Sequence, residues 1–120
     1  MKGLLPKPTL LELDEYNINQ RIVEALTTVC SHAVLFSIVG ESKAAVKISK
    51  ELQISLSAVY KTLVQLEKLA LVMVEKFEFS NDGKKIKQYR SKIKSANISI
   101  NGNKFEISLD PLIITDEESF

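Results

Sequence analysis

The tightest constraint in this sequence is the short spacer between two amphipathic segments. Ala45, Ile48 and Leu52 recur at helical spacing and mark one inner face, with Lys43, Lys47, Lys50 and Glu51 turned outward. A second periodic run begins at Ser57, whose hydroxyl suits a helix N-cap. It sets Val59, Leu63 and Leu66 on one side and Tyr60, Lys61, Val64 and Lys68 roughly opposite. Only Gln53-Ile54-Ser55-Leu56 lies between them. A link that short forces a steep crossing of the two helices rather than an antiparallel hairpin.

The flanking chain extends the pattern on both sides. Residues 1–16 hold two prolines and no sustained period, with Thr9 and Glu12 spaced as a capping box. From Asn17 a helical period runs through Ile18, Ile22, Leu26 and Val29 or Cys30, with Asn19, Gln20, Arg21 and Glu24 opposite. The apolar segment Ala33–Val39 forms a further helical stretch ending at Gly40, and the phase through Ser31-His32 is open. After Leu69-Ala70 the residues favour strand: Leu71-Val72-Met73-Val74, then Phe77 and Phe79 alternating with Lys76 and Glu78. Asn81-Asp82-Gly83-Lys84 reads as a type I′ hairpin turn, followed by a basic return strand from Lys85 to Lys94. A second hairpin alternates Ala96, Ile98 and Ile100 against Phe105, Ile107 and Leu109 around Asn101-Gly102-Asn103. Pairing across Asn101-Gly102 sets Ile98 opposite Phe105 and Ala96 opposite Ile107, which makes one face wholly apolar. Asp110-Pro111 ends it, and the acidic tail Asp116-Glu117-Glu118 is expected to fray.

The order helix, helix, short turn, helix, basic hairpin is that of an α+β winged helix-turn-helix. The expected layout is an arm over 1–16, the winged domain with its leading helix over 17–94, an additional C-terminal β-hairpin over 95–110 and an acidic tail over 111–120. At 120 residues the chain has the size of one domain. It lacks any apolar run near the ~20 residues of a bilayer span, and Pro6 and Lys7 interrupt any secretory h-region. One Cys and one His exclude an internal disulfide and an all-Cys/His zinc site. No Gly-rich phosphate loop and no catalytic carboxylate pairing is present, so the expectation is a cytoplasmic non-enzyme with no cofactor and no metal.

Charge narrows the function. The net charge is only +1, but residues 43–94 hold twelve basic and five acidic side chains, net +7, between flanks of net −2 and −4. Such segregation suits a section that faces a polyanion.

The stretch from Val46 to Val72 resembles the winged helix-turn-helix regulators of bacteria and archaea, nearest the ArsR, MarR and TrmB-like groups. The shared features are Ile48-x-x-x-Leu52, the Ile54-Ser55 turn, Ser57-x-Val59-x-x-x-Leu63-x-x-Leu66 and the Leu71-Val72 entry into the wing. Ser31–Val39 loosely resembles the preceding ArsR-like helix, so the resemblance covers residues 31–94. Gln53 and Ala70 stand where the family usually has glycine, and metal sensing is not carried over because the Cys and His ligands are missing.

A helix-turn-helix lays its second helix in the major groove. The residues that face outward there are Ser57, Ala58, Tyr60, Lys61 and Val64, with Gln65 at the margin. Lys61 can donate to guanine, Ala58 or Val64 can meet a thymine methyl, and Ser57 can cap the helix or donate to a phosphate or base. The wing offers Asn81, Lys84, Lys85, Lys87 and Arg90 to phosphates or to the minor groove; Lys43 and Lys47 can hold phosphate near the preceding helix. Cys30 reads as a small buried hydrophobe, His32 as a helix-end residue, and Phe77, Phe79 and Tyr89 as core or wing-base packing. The reading that follows is a homodimeric, sequence-specific double-stranded DNA-binding regulator, dimerised through the Asn17–Cys30 helix, the 96–109 hairpin or both. An effector ligand is not identifiable. The alternatives are a winged-helix protein–protein module that does not read DNA, and a single-strand or RNA binder stacking bases on Tyr60 or Tyr89.

Overall fold

The computed structural model describes residues 10–102 and 104–113. Thr9 of the expected capping box, Asn103 and the Asp116–Glu118 tail lie outside the described residues. The elements run α1 (Leu10–Thr27), α2 (Val29–Ser37), α3 (Ala45–Leu52), α4 (Leu56–Lys68), β1 (Val72–Phe79), β2 (Lys85–Ser91), β3 (Ile93–Asn101) and β4 (Lys104–Pro111). β1 pairs with β2 and β3 with β4, each pair antiparallel and each a separate two-stranded sheet. Among the described residues, no helix is long and apolar enough to cross a membrane.

The leading helix starts at Leu10, seven residues before Asn17. Neither proline nor glycine occurs between Pro8 and Gly40, so nothing local interrupts main-chain hydrogen bonding. The break comes at Thr28, whose extended backbone (φ −70°, ψ 132°) separates α1 from α2, and the helical phase runs on through Ser31-His32. The His32 ring lies against Phe36, tilted by 43° with centroids 4.8 Å apart, and its Nδ1 donates to the Leu26 carbonyl at 2.9 Å, near the end of α1. That satisfies a carbonyl which the helix end leaves open. Gly40 is not the helix stop. α2 ends at Ser37 and is capped by Ile38, whose side chain is fully buried.

Leu35, Ile38, Ile48, Val59, Leu63, Leu66 and Leu71 form the centre of one hydrophobic core, joined at its rim by Leu26, Val72, Tyr89 and Ile93. The crossing of α3 and α4 uses the left-handed region at Gln53 (φ 56°, ψ 45°). Ala70 (φ 60°) does the same where α4 gives way to the wing. These are the two positions at which glycine is usual, and the backbone keeps the left-handed geometry without it. Ser49 Oγ donates to the Ile54 carbonyl at 2.6 Å and holds the first turn; Leu71 N–H donates to the Leu66 carbonyl at 2.9 Å across the second.

The base of the β1–β2 wing is stitched to the segment between α2 and α3. Lys43 and Tyr89 exchange both main-chain hydrogen bonds, at 3.0 and 2.8 Å, and Ser91 N–H donates to the Ile38 carbonyl. A register shift between Val74 and Lys76 leaves Glu75 outside the ladder, as in a β-bulge that re-aims a side chain. Its carboxylate accepts from Arg90 at 2.9 Å, and Arg90 Nε donates to the Val39 carbonyl at 3.0 Å. With both partners largely enclosed, Arg90 is a structural clasp and not the wing contact expected of it.

The expected long return strand is interrupted at Lys92. There Lys92 N–H donates to the Leu71 carbonyl, and its own carbonyl accepts from Leu112 N–H. In the second hairpin Ile98 pairs with Ile107, Ala96 with Leu109 and Ile100 with Phe105. Moving the two-residue loop forward by one residue shifts every pairing by two, so the expected partners change but the apolar residues stay on one face. Ala96, Ile107 and Leu109 pack against the core, whereas Ile98 and Ile100 stay exposed.

Glycine at either left-handed position should relieve the Cβ strain. Gln53→Gly and Ala70→Gly are each expected to raise stability by about 0.5–1 kcal/mol in urea denaturation. An unchanged or lower midpoint would mean that the strain is relieved elsewhere.

Candidate nucleic-acid interface

The N-cap of α4 is Ser55, not Ser57. Its extended backbone (φ −66°, ψ 149°) turns the chain into the helix, and its Oγ accepts from Ala58 N–H at 3.1 Å. Both serines have capping chemistry; Ser55 takes the role because Leu56 already belongs to the helix. Ser57 is left exposed in the first turn, its hydroxyl 3.3 Å from that of Ser55.

Val59, Leu63 and Leu66 are almost wholly buried on one side of α4, with Thr62 beside them. Tyr60 and Val64 are 47% and 48% exposed on the other side, next to exposed Ser57 and Lys61 and half-buried Ala58. Leu56, in sequence a turn residue, opens the helix and is exposed as well. Gln65 faces the α1 side, where with Arg21, Glu24 and Lys68 it lines a cavity of about 420 Å³.

Lys43, just before α3, and Lys47, within it, are both paired with carboxylates. Lys43 Nζ donates to Glu51 at 2.7 Å and keeps only 12% of its side chain exposed. Lys47 meets Glu41 at 3.3 Å and Glu51 at 4.0 Å. Lys43 is therefore withdrawn as a phosphate ligand: its charge is satisfied by a carboxylate two helical turns away. Lys47 remains half-exposed beside two acids. The hydrogen bond from Lys43, with the added charge of Lys47, holds the Glu51 carboxyl below the usual carboxylate range. Because the folded-state value is the depressed one, the pairing is intact at neutral pH and is lost only as pH falls through that lowered value.

The wing turn is not type I′. Only Gly83 has positive φ (83°), and its N–H donates to the Ser80 carbonyl at 2.9 Å, so Asn81 and Asp82 occupy an ordinary turn followed by a left-handed glycine. A type I′ turn requires both central residues in the left-handed region. Ser80 N–H donates to the Lys84 carbonyl and Ser80 Oγ accepts from Lys84 N–H, which closes the loop tightly. The Ser80 hydroxyl also donates to Asp82, and this bond, aided by main-chain N–H groups, lowers the Asp82 carboxyl from its ordinary value. Asn81, Lys84, Lys85 and Lys87 are all exposed. Among the described residues, no ion pair engages Lys61, Lys84, Lys85 or Lys87.

The three aromatic residues of the wing divide. Tyr89 is buried, and burial pushes its phenol up, with the charge of Glu67 adding to the effect. That removes Tyr89 as a base-stacking platform. Phe77 and Phe79, expected to pack at the wing base, are instead 42% and 71% exposed, and Lys85 Nζ lies 4.0 Å from the centre of the Phe77 ring. Strand alternation put them on one face correctly, but that face looks outward beyond the core. Cys30 Sγ lies 3.6 Å from Thr62 Oγ1 in a half-buried setting. Among the described residues, no cluster of three or more His, Cys, Asp or Glu side chains could hold a metal.

This arrangement is a winged helix-turn-helix: α3, a left-handed turn and α4, followed by the β1–β2 wing. No family model matches the sequence, and no curated protein matches it. Solved structures that share the fold include the following two. NolR from Sinorhizobium fredii superimposes with a TM-score of 0.56 at 20% identity, over 72% of this chain and 81% of that one. The second is the homodimeric winged helix-turn-helix DNA-binding domain of Mb0332 from Mycobacterium bovis, a possible ArsR-family transcriptional regulator. It superimposes with a TM-score of 0.53 at 15% identity, over 72% of this chain and 75% of that one.

The two cap serines separate cleanly in stability measurements. Ser55→Ala should cost about 1 kcal/mol in denaturant unfolding, the usual loss of an N-cap, while Ser57→Ala stays within about 0.5 kcal/mol of the parent.

Proposed function

We propose that this protein is a sequence-specific double-stranded DNA-binding transcriptional regulator that acts as a homodimer. α4 enters the major groove, and the 80–87 wing lies alongside it on the backbone or in the minor groove. The observation that carries this reading is the coupling of exposed polar and apolar groups on α4 with a wing on which Lys84, Lys85 and Lys87 have no carboxylate partner among the described residues. Tyr60, Lys61, Val64, Ser57 and Ala58 supply donors and methyl-sized contacts of the kind that discriminate base edges. Lys84, Lys85 and Lys87 supply charge that positions without reading sequence, and Asn81 extends the polar surface of the loop. The homodimeric state and DNA binding of the Mb0332 domain support the same reading. In a dimer, two α4 helices would address half-sites about 34–36 Å apart, one duplex turn.

The second copy would meet α1, the β3–β4 hairpin, or both. Ile18 on α1, and Ile98 and Ile100 on β3, are 53%, 38% and 76% exposed, more apolar surface than a lone domain gains from displaying. The same surface favours the second reading, a protein–protein module whose lysines are only surface charge.

A salt titration of duplex binding separates the two. On the DNA reading, log K falls linearly with log salt, with a slope of about −0.9 for each phosphate neutralised. Lys61→Glu combined with Lys84→Glu should abolish retention of the duplex while leaving self-association intact. A slope near zero, or failure of the wild type to retain any duplex, would favour the interaction module.

A further inference from the structure

We propose that Phe79 is an apolar wedge of the DNA interface, entering the minor groove while Lys84, Lys85 and Lys87 hold the flanking phosphates. The inference rests on the duplex-binding reading above and assigns that site a contact which no charge pattern could supply.

Phenylalanine is among the residues most often buried, yet Phe79 is 71% exposed at the last position of β1, beside the wing loop. Register places it opposite Lys85 and places Phe77 opposite Lys87, so these four side chains share one face of the ribbon. Among the described residues of the ribbon itself, no carboxylate shares it. Glu78 falls on the opposite face with Ile86, and the Asp82 carboxylate is turned back onto the Ser80 hydroxyl. Lys85 lies over Phe77, a cation–π contact that fixes the lysine and leaves Phe79 as the outermost apolar group. The platform beneath is stiff, because hydrogen bonds linking Ser80 with both Gly83 and Lys84 close the loop, and the far end of β2 is bonded to the α2–α3 segment. A rigid, carboxylate-free face with an exposed ring among cations matches a polyanion with an apolar interior. Duplex DNA presents both at the minor groove, where apolar side chains wedge against or between base steps.

The test uses a duplex selected by the wild-type protein from a random pool, carrying a fluorophore at each end. Affinity is measured across a salt series for the wild type, Phe79→Ala, Phe79→Leu and Lys84→Glu, with end-to-end energy transfer reporting duplex bending. Phe79→Ala should weaken binding about tenfold with the salt slope unchanged, and the duplex should be bent less. Phe79→Leu, which keeps an apolar wedge, should retain most of the affinity, whereas Lys84→Glu should flatten the slope. Wild-type affinity and bending in Phe79→Ala would overturn the wedge and leave the DNA reading standing. So would a loss of affinity that follows loss of self-association in ultracentrifugation without DNA, since Phe79 would then face a second copy. Failure of the wild type to bind any duplex would remove both proposals.

Discussion

The outward face of α4 is defined by the anchoring of its inner face. Val59, Leu63 and Leu66 are held against Ile48, Leu35 and Ile38 with essentially no exposure, and each such side chain contributes about 1.5–3 kcal/mol by leaving water. That burial fixes the rotation of the helix about its own axis, so Tyr60, Lys61 and Val64 have no choice but to face solvent. The left-handed residues Gln53 and Ala70 mark the approach to the helix and its exit. Their strain is local, whereas the packing they permit runs the length of the helix, which is why a non-glycine residue is tolerated at both ends.

The wing obeys a related logic with different chemistry. Its base is held by main-chain bonds from Lys43 and Ile38 and by Arg90, which clasps the bulged Glu75 and the Val39 carbonyl together. A guanidinium suits this task because its planar fork can serve a carboxylate and a carbonyl at once. With the base anchored, the tip projects lysines and phenylalanines without a core of its own. The strand pair is stiff where it joins the domain and chemically open where it leaves it.

Helical period and turn length made the α3–α4 unit legible in the sequence, because Ala45, Ile48, Leu52, Val59, Leu63 and Leu66 can be buried together in only one arrangement. The exposed face of α4 followed from the same phase. Features set by competition between near-equivalent groups were harder to read. Ser55 and Ser57 both suit a cap, and the choice depended on where Leu56 sat. Lys43 resembled any outward lysine until Glu51 came within reach across two turns. Arg90 counted as one more wing cation, because the bulge that delivers Glu75 to it leaves no mark in the alternation. Phe77 and Phe79 carry strand periodicity but say nothing of whether a core lies beneath them. In the second hairpin the alternation fixes which residues share a face but not the register, and the strands pair two residues away from the expected partners.

Lys92 gives the molecule a mechanical continuity that owes nothing to side chains. Its N–H takes hold of Leu71, whose own N–H holds the last turn of α4 through Leu66, and its carbonyl is held in turn by Leu112 just beyond β4. A load applied to the second hairpin therefore reaches the end of the α4 helix along peptide groups alone. Ordinary amino-acid exchange leaves such a linkage intact, since every residue but proline brings the same N–H and carbonyl. The lever between the two halves of the molecule can persist while Lys92 and Leu112 drift, although Leu66 and Leu71 are also held by the core.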